Sequence, residues 1–302
     1  MKIPQEKILI SVAMITYNHE AYIREAIEGV LMQEGDFQIE LIIANDHSTD
    51  STESIVLDLI KNHKNGNWIK YTCHQVNKGM KSNFTWSINQ AKGKYIAICE
   101  GDDFWTDPLK LSKQILFLEN NPEYVFSFHN AQLIKTAKNE FIYNFLTENR
   151  DYTANDLFLR WVAPTASFVF ASSCVTICNK YLDKPDVLNP DLVLVLSCLE
   201  QGKARGSTES MSVYRIHEQG ISQVRFIEDR LSHLKNYIKH YKFIGKHFSA
   251  VSRNNINIKL VDIHSSIALY YFKKKDIRFF LYSLKCIYYR PELIYKGLKK
   301  VL

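Results

Sequence analysis

No stretch of the chain reaches 18 consecutive apolar residues, so no spanning helix can be read from it. The opening segment, MKIPQEKILISVAMITYNHE, has an apolar run too short to span and lacks a small-residue cleavage site, so neither leader nor anchor is expected there. Cysteine is present without the pairing that zinc sites or disulfide frameworks use: Cys73, Cys99, Cys174, Cys178, Cys198 and Cys286 form no Cys-x-x-Cys and sit mostly inside apolar runs. Reduced core thiols and a cytoplasmic setting are the expectation. Glycine is missing from the loop after the first apolar run, Thr16 to Ala21, which excludes the Gly-x-Gly-x-x-Gly turn of a dinucleotide-binding domain. A Walker A phosphate loop is missing too, as are low-complexity segments and internal repeats. The triplet Asn83-Phe84-Thr85 matches a glycosylation acceptor, but with no secretory route it is read as chance.

What is present suits one sizeable domain with an appendage. Apolar residues make up 46% of the 302 and charged residues 23%, enough to bury a well-packed core. Charge divides the chain. From residue 223 onward 17 Lys plus Arg face 5 Asp plus Glu, a balance of +12, whereas the rest carries 21 against 27, a balance of −6. The expected division is therefore a main domain over 1–222 and a basic helical extension over 223–302.

The most informative stretch is YIAICEGDDFWTDP. Tyr95 to Cys99 is a continuous apolar run, the pattern of a strand buried on both faces, and it delivers Glu100, Asp102 and Asp103 within four residues. Two like charges ~4 Å apart repel by about 1 kcal/mol in water and by about 4 kcal/mol at the effective dielectric of a partly buried site. The cluster therefore needs a counter-charge or must hold protons. A divalent cation is the simplest answer, because Mg²⁺ or Mn²⁺ takes one or two carboxylates and completes its shell with substrate phosphates. Gly101 lets the backbone turn between the acids. A plainer reading makes Asp107 the cap of a helix opened by Pro108, with Leu111, Ile115 and Leu118 on one face. It leaves Glu100, Asp102 and Asp103 without a role.

Strands and helices alternate through the first half. Ile8 to Thr16 reads as a buried strand, followed by Ile23, Ala26, Ile27, Val30 and Leu31 at helical spacing. Ile39 to Asn45 is a second strand, and Asp50 with Glu53 has the spacing of a capping box before a helix through Ile55, Val56, Leu59 and Ile60. Trp68 to Cys73, Tyr95 to Cys99 and Tyr124 to His129 complete the strands of this half. Such alternation implies βαβ units and a mostly parallel sheet, in which ligands bind beyond the carboxyl ends of the strands. Thr16-Tyr17-Asn18, Asn45-Asp46 and the acid run all fall at such ends, so they are expected on one edge. Further on, Gln132 to Phe145 reads as a hairpin or loop, Asn155 to Val162 as a helix, and Ser167 to Ala171 and Cys174 to Cys178 as strands. Pro190 opens a helix that Gly202 ends, Met211 to His217 is a last strand, and the tail is helical, with Ile227, Leu231, Leu234, Ile238 and Tyr241, then Ile277, Leu281, Leu284 and Tyr288, stepping by three and four.

Taken together, SVAMITYN, IIANDHSTDST, NKG with AKGKYI, CEGDDFWTDP, the Asp191 helix and MSVYRIHEQGIS resemble the inverting family-2 glycosyltransferases of the GT-A fold, of bacterial surface-polysaccharide type, over roughly residues 8–222. The resemblance implies a nucleotide-diphospho-sugar transferase fold of α/β class with a helical C-terminal extension. It implies that Thr16, Tyr17 and Asn18 hold the nucleoside, that Asp46 bonds the uracil edge, and that Glu100, Asp102 and Asp103 match a metal-binding Asp-x-Asp-Asp run for Mg²⁺ or Mn²⁺. Asp191 matches the general base, and Arg215 and His217 match residues that approach the diphosphate and the metal. Each also has a plainer reading: Asn18 as a helix cap, Asp46 as a turn former, Asp191 as a partner of a helix dipole, His217 as a structural histidine. The chain departs from the family where Ile15 replaces a proline, where Glu100 replaces the first aspartate, and where Phe84-Thr85 replaces an Arg-Asn pair, so that Lys78 or Lys81 would take over a phosphate contact.

The implied activity is transfer of a sugar, expected from a UDP-sugar, to a hydroxyl of a saccharide or lipid-linked acceptor in surface-polysaccharide or lipopolysaccharide synthesis. The alternative is a non-catalytic, nucleotide-binding scaffold of a polysaccharide assembly complex. Trp161, Pro164 and Thr165 are the candidate acceptor contacts. Lys273 to Lys275, Arg278, Lys285, Arg290, Lys296, Lys299 and Lys300 interleave with Phe279, Phe280, Tyr288 and Tyr289, a pattern suited to peripheral contact with an anionic membrane at the inner face, or to the solvated face of helices packed on a core. Nucleic acid is not an expected partner, since no binding motif accompanies the charge.

Overall fold

The computed structural model describes residues 8–136, 146–218, 220 and 230–291, with the backbone of 140–142. It divides into two compact units. The first comprises Met1–Thr153, Val162–Asp183 and Pro190–His217; the second comprises Ala154–Trp161, Lys184–Asn189 and Glu218–Leu302.

The first unit is built on one mixed sheet. β1 (Ile8–Thr16), β2 (Phe37–Asn45), β3 (Ile69–Cys73) and β4 (Tyr95–Ile98) lie side by side in the order β3-β2-β1-β4, all parallel. The sheet continues through β9 (Val169–Ala171), antiparallel to both β4 and β6 (Tyr124–Lys135), and then through β10 (Lys203–Ile216), parallel to β6. β5 (Phe104–Trp105), β7 (Glu140–Ile142) and β8 (Arg150–Tyr152) add antiparallel pieces. The parallel half is where the sequence alternates strand and helix. The antiparallel pairings come from the short strands β5, β7, β8 and β9, while β1, β2, β3, β4, β6 and β10 run the same way, so the sheet is mostly parallel as the alternation implies.

Helices α1 (Ile23–Leu31), α2 (Thr52–Asn62), α3 (Met80–Asn89) and α4 (Lys110–Asn120) connect these strands. α1 shows why the pattern works: Ile23, Ala26, Ile27, Val30 and Leu31 form its buried stripe and join Ile10, Val12, Met14, Leu41 and Ile43 in one core. At Gly29 an added Cβ would stand 2.9 Å from the Trp105 backbone, so only glycine permits α1 to lie this close to β5. Asn83 is buried, with its amide donating to the Ala44 carbonyl at 2.8 Å, and so offers no glycosylation acceptor.

Several expectations are corrected. Cys174–Leu182 is a helix, α6, not a strand; its buried residues Cys174, Cys178 and Leu182 step by four, a period that five residues of sequence are too few to reveal. Asp50 and Glu53 make no capping box, because Asp50 accepts the Glu20 N–H at 2.9 Å and the Thr52 N–H at 3.0 Å and thereby ties two loops together. α4 begins at Lys110, and Asp107 accepts the Leu109 N–H two residues ahead of itself, so Pro108 lies before the helix. Where a hairpin or loop is expected, β6 and β7 pair antiparallel from Leu133↔Ile142 to Lys135↔Glu140; residues 137–139 and 143–145 lie outside the described part. α7 (Pro190–Leu199) opens at the proline as expected.

The second unit contains α5 (Ala154–Leu159), α8 (Arg230–His247), α9 (Arg253–Lys273) and α10 (Arg278–Tyr289). α9 is the 21-residue helix that sequence periodicity passes over, because its buried side interleaves Asn255 and His264 with Ile256, Leu260, Ile267 and Tyr271. Ile227, Lys296, Lys299 and Lys300 lie outside the described residues.

Candidate active site

The register of the parallel strands brings the polar strand ends together. Thr16 pairs with Asn45 across β1 and β2, and β4 runs beside β1, so Thr16, Asp46 and Glu100 leave the sheet at one edge. Backbone bonds continue the sheet past its last residues: the Asp46 N–H donates to the Thr16 carbonyl at 2.9 Å, and the Gly101 N–H to the Ile15 carbonyl at 2.9 Å. Gly101 turns hard against the first loop. A Cβ there would meet Thr16 Oγ1 at 2.9 Å and His19 Nδ1 at 3.0 Å. Both of those atoms are buried without a hydrogen-bond partner, as is Asp103 Oδ2.

The three acids are not equivalent. Asp102 Oδ2 lies 3.0 Å from His217 Nε2 and 3.9 Å from His19 Nε2. Burial works to raise the Asp102 carboxyl, but the bond with His217 and the fields of His19 and His217 outweigh it and hold the group below its ordinary range. Asp103 accepts the Arg215 backbone N–H at 2.9 Å, yet burial, followed by the charges of Asp102 and Glu100, pushes it well above the usual range. Burial raises Glu100 as well, to about 8, with Asp102 and then Asp191 adding to the effect. Burial thus disfavours the charged form of Glu100 and Asp103, while the contacts with His217 and His19 favour it at Asp102. The contribution from Asp191 is informative in another way. It places the first turn of α7 within electrostatic reach of Glu100, although 91 positions separate them in sequence.

Arg215 is already committed. Its guanidinium donates to the Asp102 carbonyl at 2.8 Å, pairs with Glu25, and stacks 4.3 Å from the Phe104 ring centroid and 5.3 Å from that of Tyr22. It stands as a strut behind the acid run, only 9% exposed. His217 packs its ring 4.8 Å from Tyr22.

The nucleoside-side residues form a second group. The Asn18 N–H donates to Ser48 Oγ at 2.9 Å and its Oδ1 accepts the Thr49 N–H at 2.8 Å, so Asn18 laces the first loop to the second instead of capping α1, whose N-cap is Tyr22. Asn18 and His47 both take positive φ, 54° and 66°, a backbone shape that asparagine tolerates better than most residues. Asp46 is buried, and its carboxylate accepts the Lys78 N–H at 2.7 Å and the Gly79 N–H at 2.9 Å, fixing the Asn77-Lys78-Gly79 turn. Tyr17 is 45% exposed and the Lys78 side chain projects outward. Pro164 and Thr165 are buried in the sheet unit, and Trp161 belongs to the other unit. Sequence reasoning missed His19, Glu25, Tyr22 and Phe104. Only His19, directly after Tyr17-Asn18, carried a signal that could have found it.

Among known proteins, Glycosyl transferase family 2 matches residues 11–182, more than half of the chain. The chain belongs to glycosyltransferase family 2. An uncharacterized protein of Mycobacterium tuberculosis is 34% identical over 223 residues, 73% of this chain and 62% of that protein, so the match spans less than two thirds of the mycobacterial relative. The Escherichia coli protein WfaP, named as a UDP-Glc:alpha-D-GlcNAc-diphosphoundecaprenol beta-1,3-glucosyltransferase, is 29% identical over 225 residues, 73% of this chain and 82% of that protein. Staphylococcus aureus TarS 1–349, solved with UDP-GlcNAc, superposes with a TM-score of 0.60 at 16% identity, covering 94% of this chain and 92% of that one. The Pyrobaculum calidifontis mannosyltransferase PcManGT, solved with GDP-Man and Mn²⁺, gives 0.58 at 14% identity, covering 82% and 66%. These glycosyltransferases share the GT-A fold with the chain.

Proposed function

We propose that this family member transfers a sugar from a nucleoside diphosphate donor, a UDP-sugar, to a hydroxyl of a saccharide or lipid-linked acceptor used in surface-polysaccharide synthesis, with inversion at the anomeric carbon. The observation that supports the reading is that the charge of Asp191, in the first turn of α7, reaches Glu100 in the acid run at the end of β4. WfaP, which by its name takes UDP-Glc and a diphosphoundecaprenol-linked acceptor, supports the donor and acceptor classes.

A divalent cation fits the residues present. Among the described residues no group of three or more His, Cys, Asp and Glu is assembled as a cage. None is needed where donor phosphates complete the shell. Asp102 Oδ2 and His217 Nε2 face each other, and Asp103 Oδ2 is buried without a partner, so Asp102 and His217 would hold Mg²⁺ or Mn²⁺ with Asp103 and Glu100 behind them. When bound, the ion offsets the charge of the leaving diphosphate.

The remaining work falls to the chain itself. Asp191 takes the acceptor's proton as the acceptor oxygen bonds to the anomeric carbon and the bond to the diphosphate breaks, in one displacement with no covalent intermediate. Tyr17, exposed at the mouth of the edge, is available to stack on the base, and the loops laced by Asn18 and Asp46 shape the nucleoside site. Arg215 acts by holding Asp102 and Asp103 in position.

The test is release of free nucleoside diphosphate from UDP-Glc, UDP-GlcNAc and GDP-Man in the presence of Mn²⁺. Asp191→Asn is expected to reduce turnover by about 10²–10⁴-fold with donor affinity retained. Near-normal turnover in that variant would remove Asp191 from the role. Nucleotide binding without release from any donor would favour the scaffold reading.

A further inference from the structure

Neither the core nor the proposed chemistry uses the outer side of the last helical hairpin. α10 packs on α9 with one face: the Tyr282 and Tyr289 rings stand 5.6 and 5.5 Å from that of His264, and Cys286 Sγ lies 3.4 Å from Ser265 Oγ. The opposite face is apolar as well. Ile277, Phe280, Leu281, Leu284 and Tyr288 are 51–80% exposed, and their spacing of three, one, three and four puts them on a single stripe. Leu269 and Phe272, three residues apart near the end of α9, are also more than half exposed. Among the described residues, seven of twelve exposed large apolar side chains fall between 269 and 288. Isolated exposed leucines are ordinary; a continuous stripe marks an interaction surface.

Charge identifies the partner. Residues 263–291 carry six Lys plus Arg and one acid, Asp276, which is bound to Arg278 at 2.6 Å. A second copy would oppose five net positive charges with five more. A surface rich in lipid phosphate would meet both the apolar stripe and the cations.

We propose that this face of α10, with the end of α9, lies in the surface of an anionic lipid bilayer. Phe280, Leu281, Leu284 and Tyr288 enter the boundary between headgroups and acyl chains, and Lys273, Lys274, Lys275 and Lys285 meet lipid phosphates. No described helix is long and apolar enough to cross a membrane, so the contact is interfacial. The inference goes beyond the proposed transfer and does not depend on it.

The experiment is flotation of the full chain with vesicles of phosphatidylcholine alone, or of phosphatidylcholine and phosphatidylglycerol in equal parts, without donor or acceptor. Binding is expected to the mixed vesicles and to weaken as salt rises. The double variant Phe280→Glu with Leu284→Glu, both exposed, is expected to lose flotation while keeping its circular dichroism spectrum. Replacing Lys273, Lys274 and Lys275 by Ala is expected to weaken binding by about a hundredfold. Failure of the unaltered chain to float, or flotation untouched by both variants, overturns the proposal. So does a concentration-dependent dimer, seen by sedimentation velocity, that the double variant abolishes. Because no arm reads catalysis, these outcomes are separate from failure of the transferase reading.

Discussion

Lys110 is a single residue whose environment makes a measurable demand. It is fully buried in α4, its ammonium donates to Gln114 Oε1 at 2.8 Å and sits 4.1 Å from the Trp105 ring centroid, and burial pushes its pKa down to about 7. The unfolded chain therefore binds more protons than the folded one between about pH 7 and the ordinary lysine value, and stability rises with pH across that window. Below it the folded chain bears the full cost of a buried cation. Relative to Lys110→Met, the unaltered protein is expected to gain up to about 1.4 kcal/mol per pH unit from pH 7 to 10, read by urea unfolding of both proteins at each pH. A difference that stays flat would place the ammonium in contact with solvent. Residues such as this are illegible in sequence. Lysine at the second position after Pro108 looks like an ordinary surface residue, and only the packing of Trp105 and Gln114 around it says otherwise.

At the scale of elements, the two loops that follow β1 and β2 and the turn before α3 behave as one assembly. Asn18, Ser48, Asp50 and Glu20 lace the first two together, and Asp46 fastens the third through two backbone amides. Asp46→Ala leaves those amides without their acceptor, so it is expected to lower unfolding free energy by about 1–3 kcal/mol and to weaken donor binding through disorder of the Lys78 turn. Urea unfolding and donor titration together check it, because an acid that served only the nucleobase would alter affinity with stability unchanged. The strands of the parallel half were legible because a strand buried on both faces must be apolar throughout. α6 and α9 were not: one offers too short a run, and the other interrupts its apolar period with buried Asn255 and His264.

For the molecule as a whole, the proposed donor site predicts a linkage between ligand and stability. UDP with Mn²⁺ at about 100 times its dissociation constant stabilises the folded state by ~2.7 kcal/mol. The expected rise in the first unit's melting temperature is about 5–10 °C. Chelation of the metal is expected to abolish most of the shift, and Asp102→Ala to do the same; scanning fluorimetry reads both. An equal shift with UDP alone would mean that the nucleotide binds without the ion. The second unit, with its basic balance, is expected to leave this shift unchanged when its outer stripe is altered.

The sequence by itself determined which runs must be buried strands, where they end in polar residues, and that Glu100, Asp102 and Asp103 crowd at one such end, because hydrophobic periodicity and charge spacing are local properties. Tertiary structure decided that His217 and His19 face Asp102 and not its two acidic neighbours, that Arg215 is a strut held by Glu25, and that α10 turns an apolar stripe outward. Each of these depends on what a side chain meets across long separations in the chain. Partners that distant leave no trace in the spacing of neighbours.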